Sequence, residues 1–262
     1  MRNRIFWGAV LILIGLIFLL SYQFGFSAWN LIWPFTLIVF GCWVLLIPVL
    51  SKGAEVVTEE IDIPLEGAKQ ATIKMEHGAG TIHLIAADLP STLLKGSFVG
   101  GVRSKVATVE EKCHIKLESK VEFINFLPRF QKEQKLKWDL SVNRTIPLKM
   151  KMETGASDNH LDLRGSQLKE LHLETGASST EIYLPEKAGE TKVHIESGAS
   201  SIRVHVPEKV AARIKVGGLV GKNINTNRFK KDGDNYQSAG YAEAANRADI
   251  EIDSGVGSIE IQ

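Results

Sequence analysis

Apolar and polar residues alternate along most of the chain after residue 60. The alternation recurs in the segments IDIPL, ATIKM, TIHLI, LHLE, EIYL, KVHIE and SIEI. A period of two places one face of a strand in a core and the other in water, so it is typical of half-buried β-strands. No run beyond residue 50 has a convincing helical period. The pattern therefore predicts a polar linker at residues 51–60 and an all-β domain at residues 61–262.

A repeated segment organises this β-rich region. An alternating strand, an acid, a hydroxyl residue and Gly-Ala-Ser follow one another in METGAS, LETGASS and IESGASS, and MEHGAG and IDSGVG are looser copies. The glycines of the five copies are Gly78, Gly155, Gly176, Gly198 and Gly255. The three central glycines, at positions 155, 176 and 198, are separated by 21 and 22 residues. A constant period of this size indicates a repeat architecture.

The fold that this repeat predicts is a single-stranded, right-handed parallel β-helix, or β-solenoid, with about 21–22 residues per coil. Each coil would hold three short strands. The five glycines would form structural corners, because glycine adopts positive φ without a Cβ clash. An antiparallel β-sandwich of hairpins that turn at Gly-Ala-Ser is the alternative. Residues 86–146 and 206–249 interrupt the period and would form longer coils or loops.

Two uncharged apolar runs precede the β-rich region. Their lengths predict a membrane hairpin of two transmembrane helices, at about residues 5–22 and 29–50. Arg2, Arg4 and Lys52 flank the pair, and the connecting loop has no Lys or Arg. Because cytoplasmic loops collect basic residues, both termini are predicted to be cytoplasmic. The predicted localisation is multi-pass in a bacterial cell membrane, with the lipid bilayer as a partner.

Charge and cysteine content narrow the function further. The chain has 31 Lys and Arg residues against 30 Asp and Glu residues, which gives a net charge of +1. Nucleic-acid binding needs a basic patch, so the composition predicts no nucleic-acid partner. The two cysteines are Cys42, inside the second apolar run, and Cys113, in the β-rich region. A pair so placed gives no disulfide framework.

The repeat carries an acid at one constant position: Glu76, Glu153, Glu174, Glu196 and Asp253. Stacked coils would place three of these acids in a column with a spacing of about 4.8 Å. Stacked carboxylates can bind a divalent cation. The simpler interpretation is a solvated charged face, because Lys151, His172 and His194 lie two residues before the acids of their own copies.

Other reactive constellations are missing from the sequence. The seven histidines lack the spacing of zinc ligands. No Gly-x-Ser-x-Gly, Walker, His-Glu-x-x-His or Cys-x-x-Cys motif occurs. We therefore predict no catalytic residue, no metal and no cofactor.

An apolar and basic insert is the least regular part of the β-rich region. It places aromatic side chains beside basic ones, at Phe123, Phe126, Arg129, Phe130 and Lys132. Such a loop is suited to contact with a partner or with an anionic membrane surface. The alternative is a cap that covers the open end of the solenoid core.

Several segments together resemble one bacterial family. They are the entry Trp29–Pro34, the IPL at Ile146–Leu148, the strand Leu161–Leu163 and the terminal GVGSIEI. The chain is similar to membrane proteins with a LiaF-type N-terminal region and a toastrack-type C-terminal domain. The resemblance implies a membrane-anchored accessory protein of the cell-envelope stress response. It also implies a protein partner of the sensor histidine kinase type.

Three functions follow from these patterns. The first is a non-enzymatic accessory or regulatory protein that presents a β-solenoid surface to protein partners. The second is a carbohydrate-active β-helix enzyme with acids in a groove. The third is a structural module that forms homo-oligomers through an open solenoid end.

Overall fold

The computed structural model describes residues 33, 34, 36–38, 40–42, 57–120 and 136–262. The first eight of these positions are helical and belong to a separate compact unit. The remainder is built mainly from β-strands, which make up 71% of the described residues. The predicted linker at residues 51–60 is described only from residue 57, and the first strand begins inside it.

The described part of the chain contains 13 strands. In chain order they are β1 (Thr58–Pro64), β2 (Gln70–Ala87), β3 (Thr92–Val99), β4 (Val102–Val109), β5 (Lys112–Ser119), β6 (Lys137–Asn143), β7 (Pro147–Asp162), β8 (Gln167–Tyr183), β9 (Glu190–His205), β10 (Ala211–Ile224), β11 (Phe229–Asp232), β12 (Asn235–Ser238) and β13 (Arg247–Ile261). The first interruption of the repeat thus supplies β3 to β6, and the second supplies β10 to β12.

Six long strands, which we call the rungs, form the centre of the sheet. In space they lie in the order β2, β7, β8, β9, β13 and β10, and each neighbouring pair is parallel. Chain order is broken because β13 lies between β9 and β10. Equivalent positions of the repeat face one another, so that Glu174 is opposite both Glu153 and Glu196.

The sheet divides at β2. The first half of β2 pairs with β5, which pairs with β4. The second half pairs with β6, which continues to β3 and β1. At the opposite end, the β11–β12 hairpin pairs with only the first part of β10, at Arg213–Lys215. At each end of the stack, the first halves and the second halves of the rungs therefore have different neighbours.

The rungs β2, β7, β8 and β9 bend at a Gly-Ala pair, and β13 bends at Gly255-Val256. In β7, Met150 and Met152 are buried before the bend, whereas Asn159 and Leu161 are buried after it. The buried positions change from even to odd numbers because two consecutive residues are exposed at the bend. Both halves of a rung consequently direct their inward side chains into one core. This core is a continuous cluster whose largest fully buried side chains include Trp138 and Phe98.

The bend needs glycine because neighbouring rungs approach closely there. A Cβ on Gly176, Gly198 or Gly255 would lie 2.8, 2.7 or 2.6 Å from the carbonyl oxygen of the adjacent rung's glycine. None of the five corner glycines has a positive φ. The sequence pattern predicts glycine at these corners because of a positive φ, and that reason is wrong. The absence of a side chain, and not an unusual backbone angle, permits the bend.

The fold class predicted from the sequence is corrected by this topology. Each rung is one long bent strand and not three short ones, and the insertion of β13 departs from a regular right-handed β-helix of successive coils. The antiparallel β-sandwich is also wrong. The chain continues through each Gly-Ala pair within a single strand, and the rungs are parallel.

The predicted membrane hairpin and the multi-pass localisation are wrong as well. Residues 5–22 lie outside the described residues, and only eight positions of the 29–50 segment are described. Within the described part of the chain, no helix combines the length and the apolar character that crossing a membrane requires. The assignment of both termini to the cytoplasm depends on those spans and is withdrawn with them.

The close approach at the bend predicts a position-dependent effect of one methyl group. Gly176→Ala should lower the free energy of unfolding by about 1–3 kcal/mol, because the added Cβ overlaps a backbone oxygen. Gly78→Ala is the matched control, since a Cβ on Gly78 meets nothing within 4 Å. Denaturant titration measures both variants. Equal stability of the two variants would contradict this explanation of the glycines.

Candidate functional site

The outward side chains before the bend form two columns, which we call the charge ladder. The acid column holds Glu76, Glu153, Glu174, Glu196 and Asp253. The column two residues earlier holds Lys74, Lys151, His172, His194 and Glu251. Strand alternation places both columns on one face, with neighbouring strands about 4.8 Å apart. The predicted column of acids is confirmed.

Lysines bridge successive rungs at one end of the ladder. Lys74 Nζ lies 2.8 Å from Glu76 and 3.0 Å from Glu153. Lys151 Nζ lies 2.9 Å from Glu174 and 3.2 Å from Glu153. Hydrogen bonds from these lysines lower the pKa of all three carboxyl groups. Each lysine thus offsets the repulsion between acids that stack directly on one another.

Histidines occupy the lysine position on β8 and β9. His172 Nε2 lies 2.6 Å from Glu174, and His194 Nε2 lies 2.8 Å from Glu196. The two imidazole rings stack, with centroids 5.1 Å apart and an interplanar angle of 15°. On β13 the same column holds Glu251, which pairs with a lysine of β10. This end of the ladder therefore carries less fixed positive charge than the lysine end.

A shallow groove of about 810 Å³ runs across the rungs beside the acid column. Four acids and the backbone at the bend line it, including Gly218 and Gly255. At its β9–β13 end, the side chain of Glu196 is 56% exposed and Asp253 is also exposed. This end of the groove therefore presents exposed carboxylates to solvent.

The ladder does not have the arrangement that acid–base catalysis requires. A glycosidase combines one carboxylate with a second carboxyl group of raised pKa. Lysine contacts instead lower the pKa of Glu153 and Glu174. Within the described ranges, no group of three or more His, Cys, Asp and Glu side chains is placed to hold a metal ion.

A second polar cluster lies on the outward face after the bend. Glu181 accepts a hydrogen bond of 3.0 Å from the Tyr183 hydroxyl, and it lies 3.1 Å from His160 Nδ1 and 3.0 Å from His205 Nε2. The rings of Tyr183 and His205 stack at 4.1 Å. The contact with His205 contributes most to lowering the pKa of Glu181. These side chains satisfy one another across three rungs.

A family defined as the N-terminal domain of toast_rack (DUF2154) matches residues 52–205. The match covers more than half of the 262 residues and includes β1 to β9. The chain belongs to the toast-rack family. The strands β10 to β13 lie beyond the matched residues, although β10 and β13 extend the same stack.

A solved structure has a fold similar to that of this toast-rack chain. A candidate cell adhesion protein from Clostridium sporogenes is 21% identical, with a TM-score of 0.71 over 79% of this chain and 99% of that chain. At this identity the likeness concerns the fold alone. A candidate adhesin from Parabacteroides merdae is 8% identical, covers 80% of this chain and 97% of its own, and has a TM-score of 0.23, too low to support an argument. No curated protein matches the chain.

The predicted contact residues of the toast-rack chain lie outside the described residues. They fall between positions 120 and 136: Phe123, Phe126, Arg129, Phe130 and Lys132. Their contact with a partner or a membrane stays a prediction. The five corner glycines are described and lie at the bend, where they border the charge ladder.

Sequence reasoning missed a buried histidine of the toast-rack domain. His77 is 2% exposed and precedes the glycine of β2, where the other copies have Thr or Ser. Its ring lies 4.6 Å from the ring of Trp138. Neither imidazole nitrogen reaches hydrogen-bonding geometry with a partner in the described part of the chain. Gly80 gives the ring room, since a Cβ there would lie 2.8 Å from Nε2. The departure from Thr or Ser was the available signal.

Burial makes His77 a source of pH-dependent stability. Burial lowers the pKa of His77 to about 4. The backbone of Ala79 has a smaller effect, which raises the pKa. The unfolded histidine has a pKa near 6.5, so the unfolded chain takes up the proton first as the pH falls. The free energy of unfolding should therefore decrease by about 3 kcal/mol between pH 6.5 and pH 4.

His77→Phe should remove this decrease while it keeps a ring against Trp138. Denaturant titrations at several pH values measure the effect as a difference from the unmodified protein. The exposed histidine of β5 provides the control, so His114→Gln should leave the slope unchanged. An unchanged slope in His77→Phe would assign the pH dependence to other groups.

Proposed function

We propose that this toast-rack protein is a non-enzymatic module of the surface or adhesion type, which binds a protein partner through its charge ladder. The observation that carries the proposal is the in-register stacking of the rungs. Stacking converts one repeat position into a rigid row of charges at a spacing of about 4.8 Å. Extended surfaces of this kind are what repeat proteins use for recognition.

The direction of the charge gradient supports a cationic contact on the partner. Lys74 and Lys151 offset the acids of β2 and β7. Glu196 and Asp253 have no lysine within 4 Å among the described residues. Complementary charges fix the register of an interface and raise its association rate. The partner is therefore expected to present Lys or Arg side chains to the β9–β13 end of the groove.

The known relatives support a binding role. The solved structure with the same fold is described as that of a candidate cell adhesion protein. The more specific prediction, an accessory or regulatory role in the envelope stress response with a sensor histidine kinase as partner, remains part of this proposal. It rests on the sequence resemblance alone.

Catalysis is the weaker proposal on chemical grounds. A glycan-cleaving site needs a proton donor, and the pKa of Glu174 is lowered by Lys151 and His172. A carboxyl group that is ionised at neutral pH cannot donate that proton. No observation on the ladder favours hydrolysis over binding.

In-cell photo-crosslinking tests the proposal. A photo-reactive residue at Lys192, exposed on β9, should give a discrete product with a second protein. Glu196→Lys combined with Asp253→Lys should reduce that product at least tenfold, because the reversed charges repel the cationic contact. The matched control combines Glu208→Lys with Glu243→Lys, two exposed acids away from the ladder. It should leave the product unchanged.

Two results would contradict the proposal. One is an equal product in the ladder variant and in its control. The other is cleavage of a cell-wall glycan by the purified protein that is lost in Glu174→Gln combined with Glu196→Gln.

A further inference from the structure

The strand β4 is an unusually exposed edge of the sheet. It is eight residues long, and all of its residues after Val102 are exposed. One of its edges pairs with β5 over the full length. Its other edge has no strand partner among the described residues. An edge of this kind offers a row of backbone N–H and C=O groups to an incoming strand.

The inward face of β4 projects beyond the core. Val106 lies opposite Ile115 of β5, and Ser104 lies opposite Leu117. Both β5 residues are buried, at 2% and 0% exposure, whereas Val106 is 48% exposed. Beyond Val102, which is buried at the start of β4, the core ends at β5, and Val106 is left as an apolar position without cover from the described residues.

The outward face of β4 is basic. It carries Arg103 and Lys105, and the β5 residues on the same face are Lys112, His114, Lys116 and Glu118, of which Glu118 lies opposite Arg103. Lys116 pairs with Glu76, at 2.9 Å, and with Glu118. Arg103 and Lys105 form no ion pair within the described part of the chain. The edge thus combines unpaired cations on one side with an uncovered valine on the other.

We propose that β4 binds an extended peptide segment of a partner protein as an added antiparallel or parallel strand, and that this segment alternates acidic and apolar residues. A strand with period two sends successive side chains to opposite faces. Its acids would meet Arg103 and Lys105, and its apolar residues would cover Val106. Backbone hydrogen bonds would supply affinity, and the alternation would supply specificity.

A second copy of β4 fits this edge less well. Two β4 strands that pair antiparallel keep the same face outward. Arg103 and Lys105 of both copies would therefore lie on one face of the joined sheet, as directly opposed or diagonal neighbours. Like charges in such positions are destabilising. The basic face selects an acidic segment over self-association.

The rungs have another unpaired edge, on β10, and it differs from the β4 edge because a side chain blocks it. The second half of β10 has no strand partner beyond β13 among the described residues. There Lys222 Nζ donates a hydrogen bond of 2.7 Å to the carbonyl oxygen of Val216. That edge already uses a carbonyl group and places a charge over the backbone, which discourages strand addition. One side-chain hydrogen bond reaches the β4 backbone, at its buried first residue, where the Val102 N–H donates to Glu59 Oε2 at 2.9 Å. From Arg103 to Val109, no side chain of the described residues bonds to the backbone.

This inference rests on the proposed role in protein binding but concerns a different surface from the β9–β13 end of the charge ladder. Its test can therefore fail while the ladder still binds a partner. The converse also holds, since a loss of crosslinks at Lys192 says nothing about β4.

The test uses the full chain and a labelled eight-residue peptide of alternating Val and Glu, which matches the eight residues of β4. Fluorescence anisotropy should show saturable binding that weakens as salt is raised. Arg103→Glu combined with Lys105→Glu should weaken binding at least tenfold. The same variant should gain affinity for the peptide of alternating Val and Lys. That exchange of preference is not expected from a merely destabilised fold.

Lys230→Glu combined with Lys231→Glu is the matched control. It makes the same charge change on two exposed lysines of β11, at the other end of the sheet. It should leave the affinity for both peptides unchanged. Val106→Lys is a second variant on the apolar side of β4, and it should also weaken binding of the Val-Glu peptide.

Amide hydrogen exchange then locates the bound peptide. Amides of β4 beyond Val102 that point away from β5 should exchange quickly in the free protein and slowly in the complex. Slow exchange of those amides before peptide is added would show an edge already covered, and it would overturn the proposal. Absence of saturable binding, equal loss in the β11 control, or a shift to dimers on peptide addition would overturn it as well.

Discussion

The in-register parallel alignment of the rungs is the constraint on which the rest of the structure depends. Because each repeat position faces its own equivalent, any side chain is stacked between near copies of itself. For Met, Leu and Ile in the core this is favourable, since equal shapes pack in layers. For glycine at the bend it is a requirement, because the carbonyl oxygen of one rung occupies the space where the next would place a Cβ.

The same alignment is unfavourable for charges, and the surface shows how this is offset. A column of carboxylates alone would repel itself, yet Lys and His of the adjacent column contact the acids within β2, β7, β8 and β9 and between rungs. After the bend, Glu181 has a similar role between His160 and His205. Exposed pairs of this kind contribute little stability individually. Their main effect is to make the columns compatible with stacking. Charged positions that lack a full set of such contacts remain available to bind another molecule.

The sequence predicts which side chains share a face of the sheet much better than it predicts which strands lie edge to edge. The period of two, with its change at Gly-Ala, identifies which side chains share a column, as the acids from Glu76 to Asp253 show. It does not encode the order of the rungs, because all rungs present similar edges and β13 can follow β9 as well as β10 can. His77 was missed for a related reason, since a histidine in an alternating segment is not distinguished from a surface residue until its position is compared with Thr154 and Thr175. The apolar runs near the start of the chain satisfy the length and charge criteria for a span, but the described residues of the second run contain no helix long enough to be one.

The position of β13 between β9 and β10 has a consequence for synthesis on the ribosome. The strand β10 is completed at Ile224, and β13 begins only at Arg247, 23 positions later (247−224). At translation rates of about 5–20 residues per second, β10 exists for at least about a second before its native neighbour does. During that interval the edge of β9 is open and β10 is the nearest strand with a compatible pattern. The nascent chain must therefore either leave that edge unfilled or later exchange β10 for β13, and in both cases the final order of the stack is decided after most of it has been made.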